Sequence, residues 1–335
     1  MFYHFSHLDG LSVVDTIDEK AKRVETLSQT LPNRDSFLGC FFGLALGDAL
    51  CAPYEGGILE RLVWQLISKS REGKTRYTDD TQMSLDVALS LLTQNGIDQN
   101  HLAQTFASSY RWSRGYGSAA AKILKKIKKG IPWYEVNRSV YPQGSFGNGA
   151  AMRAPIVALY HCGDEEQIAN TTEEVSLITH AHPLAIEGAK LIALATSIAL
   201  AQRDFADLWD RLMTESRLEP YQIRIARAKS WIESGEEIPS KRVAKELGNG
   251  IAATDSCTTA IYIASRFIDL PFDDMLLFIQ NSSGDTDTIA AMAGAIWGAY
   301  NGVNSLPRSK IEQLESRSTI EEFSIELYAH FQKER

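Results

Sequence analysis

Two short clusters carry the residues best suited to chemistry. Tyr77-Thr78-Asp79-Asp80-Thr81-Gln82-Met83 and Asn281-Ser282-Ser283-Gly284-Asp285-Thr286-Asp287-Thr288 each set two carboxylates among threonines. Each opens an apolar run with helical spacing. Capping explains part of this: Asp79 with Gln82 three residues on is a variant capping box, and Asp285 or Thr286 can cap the second helix. One cap needs one side chain, however, and two matched D-D and D-x-D clusters exceed that need. Asp285 and Asp287 diverge on a regular helix but converge from a turn. Hard oxygen donors in this number suit Mg²⁺, Mn²⁺ or Ca²⁺ rather than zinc. Four carboxylates also carry enough charge for two divalent cations. Neither cluster has the twelve-residue layout of an EF-hand loop.

Further candidates lie between these clusters. Glu55 stands between Pro53 and Gly56-Gly57 on a bent loop, as an ordinary exposed acid or a working one. The run Gln143-Gly144-Ser145-Phe146-Gly147-Asn148-Gly149-Ala150-Ala151-Met152-Arg153 has the glycines of a loop whose backbone N–H groups approach a phosphate, or simply of an irregular loop. It is neither a Walker A loop nor a Rossmann turn. Thr179-His180-Ala181-His182-Pro183 offers two histidines. With no third histidine or cysteine nearby, His180 reads as a polar ligand contact and His182 as a residue near a helix cap.

The elements that must position these residues are helical. Alternating strand patterns bounded by turn pairs are nearly absent, whereas Leu85, Ala88, Leu89 and Leu92 share one helix face, and Pro183–Ala201 continues the habit. Glycine recurs every fourth residue at Gly39, Gly43 and Gly47, and again at Gly294, Gly298 and Gly302 after Ala290. Glycine costs about 1 kcal/mol in a helix interior relative to alanine. Its repetition on one face therefore calls for a backbone packed against it, and two buried, closely packed central helices are expected. The apolar stretch Phe37–Ala52 is too short and broken to span a bilayer. Five lysines between Lys122 and Lys129 form either a solvated face around Ile123, Leu124 and Ile127 or a patch for an anionic partner.

The chain has 335 residues, 44% hydrophobic and 23% charged, with a formal net charge of −8. That charge argues against general nucleic-acid binding through phosphate neutralisation. The four cysteines, Cys40, Cys51, Cys162 and Cys257, form no C-x-x-C, which suits reduced thiols. No secretory signal is evident at the N-terminus, and a cytoplasmic location is expected. Residues 1–35 read as a helical N-terminal extension, and residues 36–335 as one domain.

Together the segments FLGCFFGLALGDALCAPYEGG, YTDDTQM, GSFGNGAAMRAP, THAHP and GDTDTIAAMAGAIWGAYNG, in this order, resemble the ADP-ribosylglycohydrolase family. The resemblance spans residues 36 to 302. It implies an all-α, single-domain, compact orthogonal helix bundle with a binuclear Mg²⁺ site, Mn²⁺ serving as an alternative. It implies cleavage of a glycosidic bond at C1″ of ADP-ribose carried by a protein or by a small acceptor such as O-acetyl-ADP-ribose. Carried over by position, Thr78, Asp79, Asp80, Asp285, Asp287 and Thr288 would bind metal. Glu55 falls where the serine-directed branch has its catalytic or metal-gating glutamate, and Asp80 is the other candidate acid or base. Ser145, Phe146, Gly147, Asn148, Gly149 and His180 match positions that hold the diphosphate and adenosine. The expected partners are an ADP-ribosylated protein or an ADP-ribose derivative, with no membrane and with the chain a monomer. An O-linked substrate is favoured, and arginine-linked ADP-ribose is the alternative. A non-catalytic ADP-ribose-binding relative and a helical metal-dependent phosphoesterase are the other readings. The sequence departs from the family pattern at Ser283, where a second glycine usually precedes G-D-x-D.

Overall fold

Glycine spacing decides the centre of the molecule. The structure, a computed structural model, describes residues 31–56, 64, 68–70, 72–201 and 205–335. Helix α1 (Arg34–Cys51) begins at Asn33, whose side chain accepts from the Ser36 N–H at 3.0 Å. The other frame helices are α2 (Asp79–Gln94), α3 (Pro183–Leu200), α4 (Ala253–Arg266), α5 (Thr286–Asn301) and α6 (Arg317–Glu334). Helices α1 and α5 run antiparallel, backbone against backbone. A Cβ at Gly43 would lie 2.1 Å from the Gly294 carbonyl oxygen, one at Gly47 2.1 Å from that of Ala290, and one at Gly39 2.2 Å from that of Gly298. The glycines on both helices are there because no side chain fits. The expected pair of central helices is present.

This antiparallel pairing has a direct consequence for the site. It carries the C-terminal end of α1, with Asp48 and the turn to Glu55, to the N-terminal end of α5, with Asp285 and Asp287. The Gly56 N–H donates to the Gly284 carbonyl at 3.2 Å, and the Thr286 hydroxyl donates to the Cys51 carbonyl at 3.1 Å. The junction is therefore tied by two bonds between the end of α1 and the start of α5.

The described chain is all-α. Its only β pairings among the described residues are isolated bridges, including Gly147 to Ala252. Pro32–Arg335 forms one compact unit. The helical extension expected before it falls almost entirely on residues 1–30, outside the described residues. Arg34–Tyr54 and Pro183–Leu200 are long and apolar enough by composition to cross a bilayer, but 89% and 72% of these windows are buried inside the protein. Their apolar surface is used in the core.

Two local expectations need adjusting. Leu89 does not join Leu85 and Ala88 inside; it is 42% exposed, because α2 packs through Met83, Val87, Ala88 and Leu91 instead. In the lysine run, Ile123, Leu124 and Ile127 are buried and Lys122, Lys125, Lys128 and Lys129 are exposed, as both readings of it require. All four cysteines are free thiols.

Candidate metal and active site

The carboxylates gather at the α1–α5 junction. Oxygen atoms of Asp48, Asp80 and Asp287 lie within 4.8 Å of one another, and so do those of Glu55, Asp285 and Asp287. Asp287 belongs to both groups, so the two share a corner. Capping does not account for this arrangement. Thr78, not Asp79, caps α2, accepting from the Asp80 N–H at 3.2 Å. Asp285 occupies the N-cap position of α5 but makes no capping hydrogen bond. Its carboxylate instead accepts from the Asn148 side-chain amide at 2.5 Å.

Electrostatics show how far the cluster is from self-sufficient. Burial, followed by the charges of neighbouring carboxylates, holds Asp80 and Asp287 well above the usual carboxylate range. The same causes raise Asp79. Glu55 is pushed up to about 7, first by burial and then by the charge on Asp285. Oxygens of Glu55 and Asp287 lie within 4.8 Å of each other. Asp80 Oδ2 and Asp287 Oδ1 are buried with no hydrogen-bond partner. Buried charges demand pairing or a metal. Hard, unpartnered carboxylate oxygens beside threonine hydroxyls are the donor set that a divalent cation of the Mg²⁺ class takes. The residues present fit such an ion.

Most of the residues expected for metal converge. Thr288 donates through its hydroxyl to Asp80 Oδ1 at 3.3 Å, linking the first turns of α2 and α5. Asp79 is in neither three-carboxylate group, although the charges of Asp48, Glu55 and Asp285 reach it, and its Oδ1 lies 3.5 Å from the Cβ position of Gly115.

The glycine-rich loop lies alongside. It is pinned to the segment before α4 by Asn148 N–H to Ile251 O and Ala253 N–H to Phe146 O, both 3.0 Å. Phe146 is 51% exposed, edge-on to His182 with ring centroids 5.9 Å apart. The Ser145 hydroxyl accepts from the Gly147 N–H at 3.3 Å. His180 lies against the loop: a Cβ at Gly149 would meet its ring at 2.6 Å, and its Nε2 is 3.4 Å from the Cβ position of Gly147. Burial and the Arg153 charge push the His180 imidazole down to about 3, so it is neutral. Its Nδ1 bonds the Thr179 hydroxyl at 2.8 Å, leaving Nε2 toward the loop. Asn148 is buried and its amide is engaged with Asp285 and Ser256, so it ties the loop to the carboxylate cluster.

Sequence reading missed two residues that organise the site. Asp48 sits in the last turns of α1 and accepts from the Thr78 N–H at 3.0 Å, the Thr81 N–H at 3.0 Å and the Thr81 hydroxyl at 2.5 Å. It fixes the start of α2. The available signal was an aspartate inside an apolar, glycine-spaced helix, which burial makes costly without partners. Arg153, fully buried, spans Gly149 O, Val175 O and the Thr179 hydroxyl at 2.8 to 3.0 Å. It locks the glycine loop to the segment carrying His180.

This helical frame, with a carboxylate junction flanked by a glycine loop and a neutral histidine, has counterparts among known proteins. A family model described as ADP-ribosylglycohydrolase matches residues 29–335. The chain is 32% identical to the ADP-ribosylhydrolase ARH3 of Gallus gallus, over 87% of this chain and 92% of that one. It is 30% identical to the ARH3 of Homo sapiens, over 89% and 94%. An uncharacterized protein of Archaeoglobus fulgidus is 30% identical over 88% and 96%. A solved structure of an ADP-ribosylglycohydrolase-related protein complex aligns with a TM-score of 0.65 at 23% identity, covering 89% of this chain and 98% of that one, and speaks for the fold. The chain belongs to the ADP-ribosylglycohydrolase family, and it is a hydrolase acting on a glycosidic bond.

Proposed function

We propose that this protein is an Mg²⁺-dependent ADP-ribosyl hydrolase that cleaves the bond at C1″ of ADP-ribose, with O-linked substrates such as ADP-ribosylserine or O-acetyl-ADP-ribose favoured. The observation that carries the reading is the junction of Glu55, Asp285 and Asp287 with Asp80, where two buried carboxylate oxygens have no protein partner. The position of Glu55, matching the serine-directed branch, supports the O-linked preference.

Thr78, Asp79, Asp80, Asp285, Asp287 and Thr288 would hold the divalent ions, two Mg²⁺ or in their place Mn²⁺. Bound there, such ions supply charge to orient the ribose hydroxyls and to polarise an oxygen. The chain's own residues do the rest. Asp48 holds Thr78 and Thr81 so that α2 starts in one register. Asn148 aims Asp285. Ser145, Phe146, Gly147, Gly149 and His180 form the wall for diphosphate and adenosine, with Phe146 exposed for stacking on the base. Cleavage builds oxocarbenium character on the ribose, and a carboxyl beside it passes the proton that water or the leaving oxygen needs. Glu55 takes that role, and Asp80 is the second candidate. The protein acts as a cytoplasmic monomer on ADP-ribosylated proteins or ADP-ribose derivatives.

A turnover panel tests this reading: Ser-linked, Arg-linked and acetyl-linked ADP-ribose with Mg²⁺, each repeated with EDTA. The expected result is release of ADP-ribose from the O-linked substrates, abolished by EDTA. Full turnover after chelation would overturn the metal assignment. Turnover of the arginine-linked substrate alone would replace the O-linked reading with the arginine-directed one.

A further inference from the structure

We propose that a second cavity, with a cationic wall of Lys69, Lys74, Arg76, Arg111 and Arg114 beside the first turn of α6, is an anion site that takes a phosphate or diphosphate group. The cavity has a volume of about 1060 Å³. It lies outside the carboxylate junction, and nothing in the reading above uses it.

The charge balance inside the cavity carries the inference. Its acids are mostly engaged. Glu315 pairs with Arg114 through both oxygens, at 2.8 and 3.0 Å. Glu321 pairs with Arg317 and Glu312 with Arg308, at 3.3 and 3.1 Å. Lys69, Lys74, Arg76 and Arg111 have no carboxylate partner among the described residues. Lys69 donates to the Thr75 hydroxyl, Lys74 to the Glu312 carbonyl, and Arg76 to the Ser113 carbonyl and hydroxyl, all neutral acceptors. Among the described lining residues, four cations without a carboxylate partner face one acid without a cationic partner, Glu72, on a chain whose net charge is −8. Burial and the charges of Arg114 and Arg111 draw Arg76 below the ordinary guanidinium value. Like charges crowded this way are relieved by a bound anion.

A second feature points to the same chemistry. Helix α6 starts in this cavity without a side-chain cap, and Ser316 before it holds a left-handed φ of 53°. Its first-turn N–H groups and the Ser318 and Thr319 hydroxyls thus add donors and the positive end of an 18-residue helix to the cationic wall. Arg114 is 5% exposed, and its guanidinium is held by the Tyr77 carbonyl and both Glu315 oxygens, so it fixes the wall from behind while Arg76 and Arg111 stand in front of it. Planar guanidinium forks together with helix N–H groups are the donor set for phosphoryl oxygens.

Metal-free, full-length protein titrated calorimetrically with inorganic phosphate, and separately with ADP, tests the site apart from the hydrolase. The expected result is saturable binding of phosphate, weakened about tenfold or more by R76Q/R111Q and unchanged by Phe146→Ala. Ser318→Glu, which places a carboxylate in the first turn of α6, weakens binding equally while suiting the helix dipole, so it tests the site even if the double variant fails to fold. ADP bound more tightly than phosphate, and still lost in R76Q/R111Q, would identify the group as part of a nucleoside diphosphate. Equal affinities would identify a free phosphoryl group. Binding that never saturates up to roughly 10 mM, or that survives both variants and falls with Phe146→Ala, would overturn the proposal.

Discussion

The shaft of the α1–α5 pair and its end are opposites. Along the shaft, Gly39, Gly43 and Gly47 meet Gly298, Gly294 and Ala290 with no room for a side chain. At the end, a few residues further on, Asp48, Asp80, Asp285, Asp287 and Glu55 crowd together, and two of their oxygens are unsatisfied. The shaft is built for packing alone. The end is built against stability, and a rigid shaft is what lets mutually repelling carboxylates stay in place. Gly43→Leu tests the first half. A Cβ there already lies 2.1 Å from a backbone oxygen, so the pair must separate. The expected loss exceeds about 4 kcal/mol, enough to leave little folded protein in a denaturant titration. Gly117→Ala, where a Cβ meets nothing within 4 Å, is the control and stays within about 0.5 kcal/mol.

Asp287→Ala tests the other half, and its signature is a split between activity and stability. It removes the carboxylate shared by both groups. Turnover is expected to fall about 10³-fold or more, because charge stabilisation at a reacting centre is worth several kcal/mol. The metal-free melting temperature stays level or rises, since a buried acid with like-charged neighbours is gone. A core-sized drop in stability would mean that Asp287 is structural. Glu55→Gln separates roles within the end. It is expected to cut kcat by about 10²- to 10⁴-fold while keeping Mg²⁺-dependent thermal stabilisation, because it removes a proton carrier and leaves the aspartates. Equal loss of Mg²⁺ stabilisation would move Glu55 from proton transfer to metal binding.

The shaft was far more legible in the sequence than the end. A four-residue glycine repeat has one physical reading in a helix, close backbone approach, and both partners carry it. The carboxylate pairs were legible because their number exceeded what capping needs. Asp48 was not, since a single acid inside an apolar run gives no sign of where its partners are. They lie on Thr78 and Thr81, 30 and 33 residues away. Arg153 was hidden for the same reason, two of its three acceptors being carbonyls that any residue offers. Asn148 resembled a substrate contact by motif, and only the fold places its amide on Asp285.

A pH series distinguishes strain at the end from strain elsewhere. Glu55 and Asp86 are both raised to about 7, chiefly by burial. Carboxyls whose folded pKa exceeds the unfolded value near 4 stabilise while protonated. That contribution is complete below about pH 4 and is lost as pH rises through about 7. Metal-free protein is therefore expected to lose on the order of several kcal/mol between about pH 5 and 8 in chemical denaturation. Mg²⁺ restores the part due to the junction, where cations replace protons. The remainder belongs to Asp86, which bonds Gln82 and Ser109 rather than the cluster, and Asp86→Asn removes it. A metal-free stability that rises with pH over this range would contradict the assigned electrostatics.

Ser283 and Gly284 give the smallest and sharpest contrast, because adjacent residues of the same turn obey different rules. Both have left-handed φ, 59° and 85°. At Ser283 the objection to a side chain is conformational and modest. Ser283→Gly relieves about 1 kcal/mol of backbone strain and adds unfolded-state freedom of similar size, so stability changes by less than about 1 kcal/mol. At Gly284 the objection is spatial, since a Cβ would lie 2.1 Å from the Asn249 carbonyl oxygen, the acceptor of the Asp285 N–H at 2.9 Å. Gly284→Ala is therefore expected to displace Asp285 and weaken Mg²⁺ stabilisation, whereas Ser283→Gly leaves it intact. If both variants bound Mg²⁺ equally well, the hydrogen bond from Asp285 to Asn249 would not be what holds this carboxylate in the cluster.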